Sequence, residues 1–192
     1  MKRMTIFVAA GSLSLLAACG GSGGGGGSDS PANEYSEDAA HAGSVIASTA
    51  SMNRTSAASM PTTGRAEYDG VVGMAFGGAP GSLANAQMLG DLDLDANFAN
   101  GTITGEMDDF NTSDGQRING ELRLTNGAIT GSQLSAGVSG NLTGGSTSPG
   151  AVNGSVDGEF LGNGASAVQG SGSATSTGGQ LGIIFTGVKD ND

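Results

Sequence analysis

From about residue 60 to the end of the chain, apolar and polar residues alternate. In the clearest stretch, 87–98, Leu92 and Leu94 alternate with the carboxylates of the sequence DLDLD. A period of two is typical of a β-strand with one buried face and one wet face. Asn-Gly dipeptides, which favour tight hairpin turns, separate such runs at 100–101, 126–127 and 163–164. The pattern therefore predicts a series of antiparallel hairpins.

Eight runs of this kind fit strands of ordinary length joined mainly by short turns. The predicted strands are 65–76, 87–98, 102–110, 116–125, 128–143, 152–161, 165–175 and 180–188. This number suits either an up-and-down barrel or two packed sheets. Glycine inside a strand is tolerated where a sheet curls tightly, and such glycines occur at Gly105, Gly120, Gly131, Gly158 and Gly170. We therefore predict an all-β fold, a single eight-stranded antiparallel up-and-down barrel over residues 60–192.

Alternation alone does not say which face of the barrel is apolar and points outward. A membrane-spanning barrel has an apolar outer band with aromatic girdles at both interfaces. The chain has six Phe, two Tyr and no Trp, too few for two girdles. The aromatic content thus opposes a membrane-spanning barrel. A lipid anchor, which the N-terminal residues predict below, would also be redundant on such a barrel.

The N-terminus has the features of an export signal. A basic pair, Lys2-Arg3, precedes an apolar run over residues 5–16, which is too short to span a bilayer. The following Leu16-Ala17-Ala18-Cys19 resembles the lipobox of bacterial lipoproteins, and it holds the only Cys of the chain. We predict a signal peptide over 1–18 and lipidation, such as palmitate, at Cys19. The alternative is an ordinary signal peptide with an incidental Cys.

Residues 19–59 are predicted to be a lipid-anchored flexible linker rich in Gly, Ser and Ala. The sequence GGSGGGGGSDSP at 20–31 behaves as a flexible coil, whose role is reach from the membrane surface. One short helix is compatible with residues 36–52. The single His, His41, lies in this segment without a partner placed by any motif, which indicates a solvated side chain.

Composition opposes several kinds of chemistry. A net charge of −11, with only seven scattered Lys and Arg, argues against a nucleic-acid partner. Asp91, Asp93 and Asp95 invite a calcium interpretation, but the EF-hand spacing fails, and carboxylates on one strand face lie about 7 Å apart. We therefore predict no metal site, no cofactor and no catalytic residues, and expect that the protein is not an enzyme.

Three segments together resemble the lipoprotein barrel domain of transferrin-binding protein B, a family that includes factor H-binding protein and haemophilin-like surface lipoproteins. The first is GRAEYDGVVG at 64–73, which is similar to the family's first strand. The second, LDLDANFANGTITGEM at 92–107, has its alternating strand, hairpin turn and Thr-Ile-x-Gly strand in the family's order. The third comprises VDGEFLGNGASAVQGSGSAT and the final QLGIIFTGVKD.

The resemblance implies a lipid-anchored barrel at the bacterial outer membrane, exposed at the cell surface. It also implies binding of a host protein, haem or an outer-membrane receptor, in host-protein or iron acquisition. No binding residue of the family maps onto this chain, and transferrin binding is not carried over because extended cap loops are absent from the sequence. A haem ligand would have to be Tyr35, Tyr68, His41 or a Met. A structural or assembly-partner envelope lipoprotein without a small ligand is the alternative function; a periplasmic hydrolase is the enzymatic one.

Overall fold

The computed structural model describes residues 30–146 and 148–190, which form one helix and nine strands together with short 3-10 turns. The helix, α1, spans Pro31–Thr49. The strands are β1 Arg65–Phe76, β2 Met88–Asn97, β3 Thr102–Thr112, β4 Ile118–Asn119, β5 Leu122–Thr130, β6 Gln133–Gly144, β7 Gly150–Leu161, β8 Ala167–Ser176 and β9 Gly179–Lys189.

The strands close into a barrel. Consecutive strands pair antiparallel, except that β3 pairs with β5, and the two-residue β4 pairs with β6 outside this ring. Pairing of β1 with β9 and of β6 with β7 completes a closed ring of eight strands. The predicted all-β class and eight-stranded antiparallel barrel are confirmed, with β4 as one extra strand.

The apolar face of the alternating pattern points into the barrel. Tyr68, Leu92 and Phe160 are fully buried inside, whereas the side chains of Asp91 and Asp93 lie on the outer wall. This sense is opposite to that of a membrane-spanning barrel, whose outer band is apolar. The wall therefore has the polarity of a barrel that faces water.

The predicted strands 116–125 and 128–143, separated by a turn at Asn126-Gly127, are wrong in their bounds. Residues 122–130 form one continuous strand, β5, and its pairing with β6 shifts in register between Thr125 and Ala128. Asn126 has a φ of 51°, so the dipeptide forms a bulge inside the strand. The hairpin turn follows at Gly131, whose φ is 61°, and Gly120 lies between β4 and β5 instead of inside a strand.

Part of the segment predicted as a flexible linker is instead a helix packed against the barrel. α1 begins before the expected start at residue 36, because Ser30 caps its first turn by accepting from the Asn33 amide and Pro31 takes the first helical position. It ends at Thr49, before the expected residue 52. Ala42 is buried against the outer surface of β1 and β2, near Val71 and Leu89, and Val45 of the same helix is also buried. Within residues 30–146 and 148–190, no helix has the length and apolarity that crossing a membrane requires.

Candidate functional site

The interior of the barrel is packed with side chains. Its largest fully buried residues include Tyr68, Phe110, Phe160, Met74 and Leu92. At one end the ring of Phe160 packs against the rings of Tyr68 and Phe98, with centroid distances of 5.7 and 5.6 Å. The Thr55 amide donates to the Phe160 carbonyl at 2.8 Å. This bond holds the connection between α1 and β1 against this end of the barrel. A ligand of this barrel therefore has to bind at its outer surface or at the loops.

The two tyrosines named above as possible haem ligands are engaged in hydrogen bonds to the backbone. The Tyr68 hydroxyl, fully buried, donates to the Ala165 carbonyl at 2.6 Å, and burial raises the pKa of Tyr68. The Tyr35 hydroxyl donates to the Ala86 carbonyl at 2.9 Å. His41 is exposed on α1. The structure brings none of these three side chains together.

One depression lies on the outer wall, over an interruption in the ladder between β3 and β5. Pairing there stops after Thr102–Ala128 and resumes at Glu106–Arg123. Gly105, Leu94 and Leu124 lie in the depression. The result is a groove of about 440 Å³ with apolar residues in its lining. We call it the wall groove. Its charged residues are Glu67, Asp69, Asp93, Asp95, Glu106 and Arg123.

Strand register brings like charges together around the wall groove. Asp93 lies opposite Asp69 on β1 and opposite Glu106 on β3, and Glu67 lies opposite Asp95. Burial, followed by the negative charge of Asp69, raises the pKa of Asp93. Like charges directly opposite one another on neighbouring strands destabilise a sheet. The arrangement therefore costs stability instead of providing it.

Two arginines offset part of this charge. Arg65 pairs with Asp95 at 2.8 Å, and Arg123 contacts Glu106 at 3.3 Å and Glu121 at 2.7 Å. The hydrogen bond from Arg123 to Glu121 raises the pKa of the guanidinium. These are exposed ion pairs, which contribute little to stability individually. The groove keeps an excess of carboxylates and a negative potential.

A second depression, of about 320 Å³, lies at the opposite end of the barrel from the aromatic cluster. Phe76, Met88 and Ile118 contribute apolar surface, and Gln87, Asp114 and Ser146 contribute polar groups. The connections that meet here are the longer ones of the barrel, including residues 77–87 and 113–117. This end is the more irregular of the two.

The acidic residues that invited a calcium interpretation do not form a metal site in residues 30–146 and 148–190. In the part of the chain that the structure describes, no three His, Cys, Asp or Glu side chains are placed to hold a metal ion. The carboxylates of Asp91, Asp93 and Asp95 follow one outer strand face, as the alternation predicts. Cys19 and the predicted signal peptide lie outside the described residues.

Comparison with known families decides the relationship of the barrel. A family model described as the C-lobe and N-lobe beta barrels of Tf-binding protein B matches residues 60–189, more than half of the chain. The chain belongs to this family. The predicted resemblance is thereby confirmed. No curated protein matches the chain significantly.

Solved structures of this family share the fold. A mutant of transferrin binding protein B from Haemophilus parasuis Hp5 is 18% identical, with a TM-score of 0.51, and the match covers 73% of this chain and 29% of that one. The isotype 1 protein from serogroup B Neisseria meningitidis is 16% identical, with a TM-score of 0.51, covering 71% and 28%. The chain thus spans less than a third of the length of these proteins, and at this identity the likeness concerns the fold.

Sequence reasoning treated the acidic residues as a solvated strand face and missed the wall groove. Their outward direction was predictable from alternation, but their proximity depends on which residues of β1, β2 and β3 lie opposite one another. The available signal was the recurrence of acids at alternate positions of three successive strands, such as Asp69, Asp93 and Glu106. That pattern predicts a charged patch once the register is known.

Proposed function

We propose that this protein is a lipid-anchored lipoprotein of the bacterial outer membrane, exposed at the cell surface, whose barrel binds a partner without catalysing a reaction. Membership of the family of Tf-binding protein B barrels supports this proposal most strongly. The lipobox at Cys19 supports the anchor. Relatives are named for binding transferrin, which favours a host protein as the class of partner and host-protein or iron acquisition as the role.

The packed interior favours a macromolecular partner over haem. The barrel encloses large apolar side chains, and the hydroxyls of Tyr35 and Tyr68 donate to backbone carbonyls. A protein partner can instead use the outer wall or the loops. The wall groove combines apolar lining from Leu94 and Leu124 with excess carboxylates. Charge complementarity favours a partner surface that presents basic side chains.

The anchor is tested by labelling cells with radioactive palmitate. We expect incorporation into the wild-type chain and none into Cys19→Ser. Since the chain contains one Cys, a label that persists in this variant would overturn lipidation at Cys19. Protease treatment of intact cells then tests exposure, because cleavage of the barrel supports the cell surface. Complete protection would instead favour a periplasmic, structural envelope lipoprotein.

Partner binding is tested by surface plasmon resonance with the full chain and a panel of host serum proteins that includes transferrin. The groove variant Asp93→Asn/Glu106→Gln removes two charges from the wall groove. The matched control, Asp157→Asn/Glu37→Gln, removes two exposed charges elsewhere. We expect the groove variant to slow association about tenfold at low salt, with no change in the control.

Two results would contradict the proposal at different points. Failure of every protein in the panel to bind would count against a host-protein partner. Binding that is equal in the groove variant and the control would leave the function in place but reject the wall groove as its site. A haem titration followed by absorbance is expected to show no saturable binding, and saturable binding would reject the preference for a protein partner.

A further inference from the structure

Helix α1 contacts the barrel through a narrow stripe. Tyr35, Asp38, Ala42, Val45 and Thr49 follow one another at helical spacing and are its inward positions. Only Ala42 and Val45 bury aliphatic side chains, and both are small. The apolar contribution to docking is therefore limited. The protonation state of Asp38, which lies in the same stripe, then has a large influence on docking.

Asp38 and Asn111 both leave a buried acceptor without a donor at this contact. Asn111 lies beside Asp38 and is only 2% exposed. Its amide nitrogen donates to the Asp109 carbonyl at 2.8 Å and also toward Asp38, which offsets part of the rise in the pKa of that carboxyl, whereas its Oδ1 has no partner. Oδ2 of Asp38 is likewise buried and unpartnered. Two unpartnered acceptors at one contact are costly unless a proton is supplied.

The carboxylates around Asp38 oppose ionisation of its own carboxyl. Glu34 lies on the same helix, and Asp91 and Asp109 lie on β2 and β3. Asp108 and His41 lie near Asp91, where Asp108 acts in the same sense and His41 in the opposite sense. Arg117 is paired with Glu34 and lies 3.7 Å from Asp109, so two acids already share it. The surfaces of β1 and β9 under the helix are uncharged at Val71 and Ile184.

We propose that α1 docks on the barrel with Asp38 protonated, and that the helix is released from the wall as this carboxyl ionises. The carboxyl proton supplies a further donor to a contact in which Asp38 Oδ2 and Asn111 Oδ1 have no partner. Protonation also removes one negative charge from the neighbourhood of Asp91 and Asp109. Docking of α1 is therefore coupled to the uptake of one proton.

The direction of the pH dependence follows from linkage. Burial, followed by the charge of Asp91, raises the pKa of Asp38 from 3.8 to about 6 in the docked helix. A raised acid pKa in the docked state means that docking is strongest below pH 3.8 and weakens as the pH rises through 6. Release would free the helical residues between the glycine-rich segment and the barrel and so extend its reach. The longer reach rests on the lipid anchor proposed above. The docking equilibrium itself does not depend on the anchor.

The test is hydrogen exchange of the full chain at pH 5 and pH 7.5, corrected for intrinsic rates and followed by mass spectrometry. We expect peptides from 31–49 to lose up to about tenfold in protection at the higher pH, while β8 peptides stay protected. Asp38→Asn supplies an amide donor and no charge. In this variant, α1 should be equally protected at both pH values and more protected than wild type at pH 7.5.

Two controls assign the effect to Asp38. Glu37→Gln removes a charge from the exposed side of the same helix, and His41→Gln removes its exposed histidine; both should retain the wild-type loss of protection. Equal wild-type protection at both pH values, or an unchanged loss in Asp38→Asn, would overturn the proposal. Carbon-13 titration of the Asp38 carboxyl in the wild-type protein tests the proposal without any variant. An apparent pKa near 4 would be incompatible with a protonated Asp38 in the docked helix.

Discussion

The two sides of the barrel wall are built from different residues although they belong to one closed sheet. On the side of β2 and β3, large residues such as Leu92 and Met107 point inward, and carboxylates such as Asp93 and Glu106 point outward. We call this the acidic side. On the opposite side, formed by β7 and β8, the inner positions include glycines. The outer positions are mainly Ser, Thr, Asn and Gln, and its two carboxylates, Asp157 and Glu159, lie opposite the uncharged Ser171 and Gln169 of β8. We call this the neutral side.

The inner difference follows from filling a fixed volume. The ring of Phe185 lies over Gly170, where an added Cβ would come within 2.3 Å of it, and over Gly158, at 3.1 Å. Glycine on the neutral side thus makes room for an aromatic ring from β9. The outer difference has no such cause, because a barrel requires only that its outer face be polar. Folding of the barrel therefore does not require the like-charge pairs of the acidic side.

The largest effect is expected from the interior of the acidic side. Leu92→Ala removes a fully buried side chain and leaves a cavity, so the free energy of unfolding should fall by about 2–5 kcal/mol. Urea unfolding followed by circular dichroism measures it. The adjacent outward change Asp91→Asn is the control and should not destabilise. Equal losses in both variants would show that inner packing does not dominate on this side.

A smaller loss is expected from the interior of the neutral side. At Gly170→Ala the new methyl meets the Phe185 ring at 2.3 Å and the Asp157 carbonyl oxygen at 2.5 Å. Because the backbone must move to relieve this contact, unfolding free energy should fall by about 1–3 kcal/mol. The neighbouring outward Ser171→Ala serves as the reference in the same urea experiment. A neutral or stabilising Gly170→Ala would contradict the assignment of this glycine to packing.

On the outside of the acidic side the sign reverses. Asp93→Asn removes a carboxylate facing Asp69 and Glu106, so it should stabilise by about 0.2–1 kcal/mol at pH 7. The pKa of Asp93 is raised in the folded state. Its charge therefore costs stability only above the unfolded pKa of 3.8. Urea midpoints of variant and wild type should converge at pH 3 and diverge at pH 7, and a constant difference would contradict the electrostatic cause.

The smallest effect is expected on the outside of the neutral side. Ser173→Asp introduces a carboxylate opposite Ser155, where no like charge is paired with it. The change in unfolding free energy should stay within about 0.5 kcal/mol at pH 7. A destabilisation as large as the stabilisation by Asp93→Asn would contradict this expectation. It would mean that an outward carboxylate lowers the free energy of unfolding whether or not another carboxylate faces it.

Local signals in the sequence were sufficient for much of the fold. Alternation around Leu92 and Leu94 predicted a strand over 87–98, and β2 spans 88–97. The Asn-Gly rule failed at 126–127 because a positive φ also serves a bulge. Only the opposing strand distinguishes the two: an added Cβ at Gly127 would lie 2.0 Å from the Ile103 carbonyl oxygen, so this position is held against β3 instead of forming a turn.

The helix and the wall groove show where local reasoning ends. The start of α1 was readable from Ser30-Pro31, whose cap and first-turn preferences are local. The docking of α1 on the barrel could not be predicted, because the charged Asp38 interrupts the apolar stripe and makes the helix resemble one that is fully exposed to solvent. The groove depends on register among three strands, to which Asp69, Asp93 and Glu106 contribute one carboxylate each. No single segment of the chain contains that information.

The sequence by itself determined the strand periodicity and the approximate position of most strands, because alternation and turn residues act over a few positions. Only the tertiary structure decided that the apolar face is inside, that glycines of β8 accommodate Phe185, and that α1 covers part of the wall. Those outcomes depend on contacts between residues far apart in the chain. Such contacts are set by closure of the sheet and by the volume that it encloses.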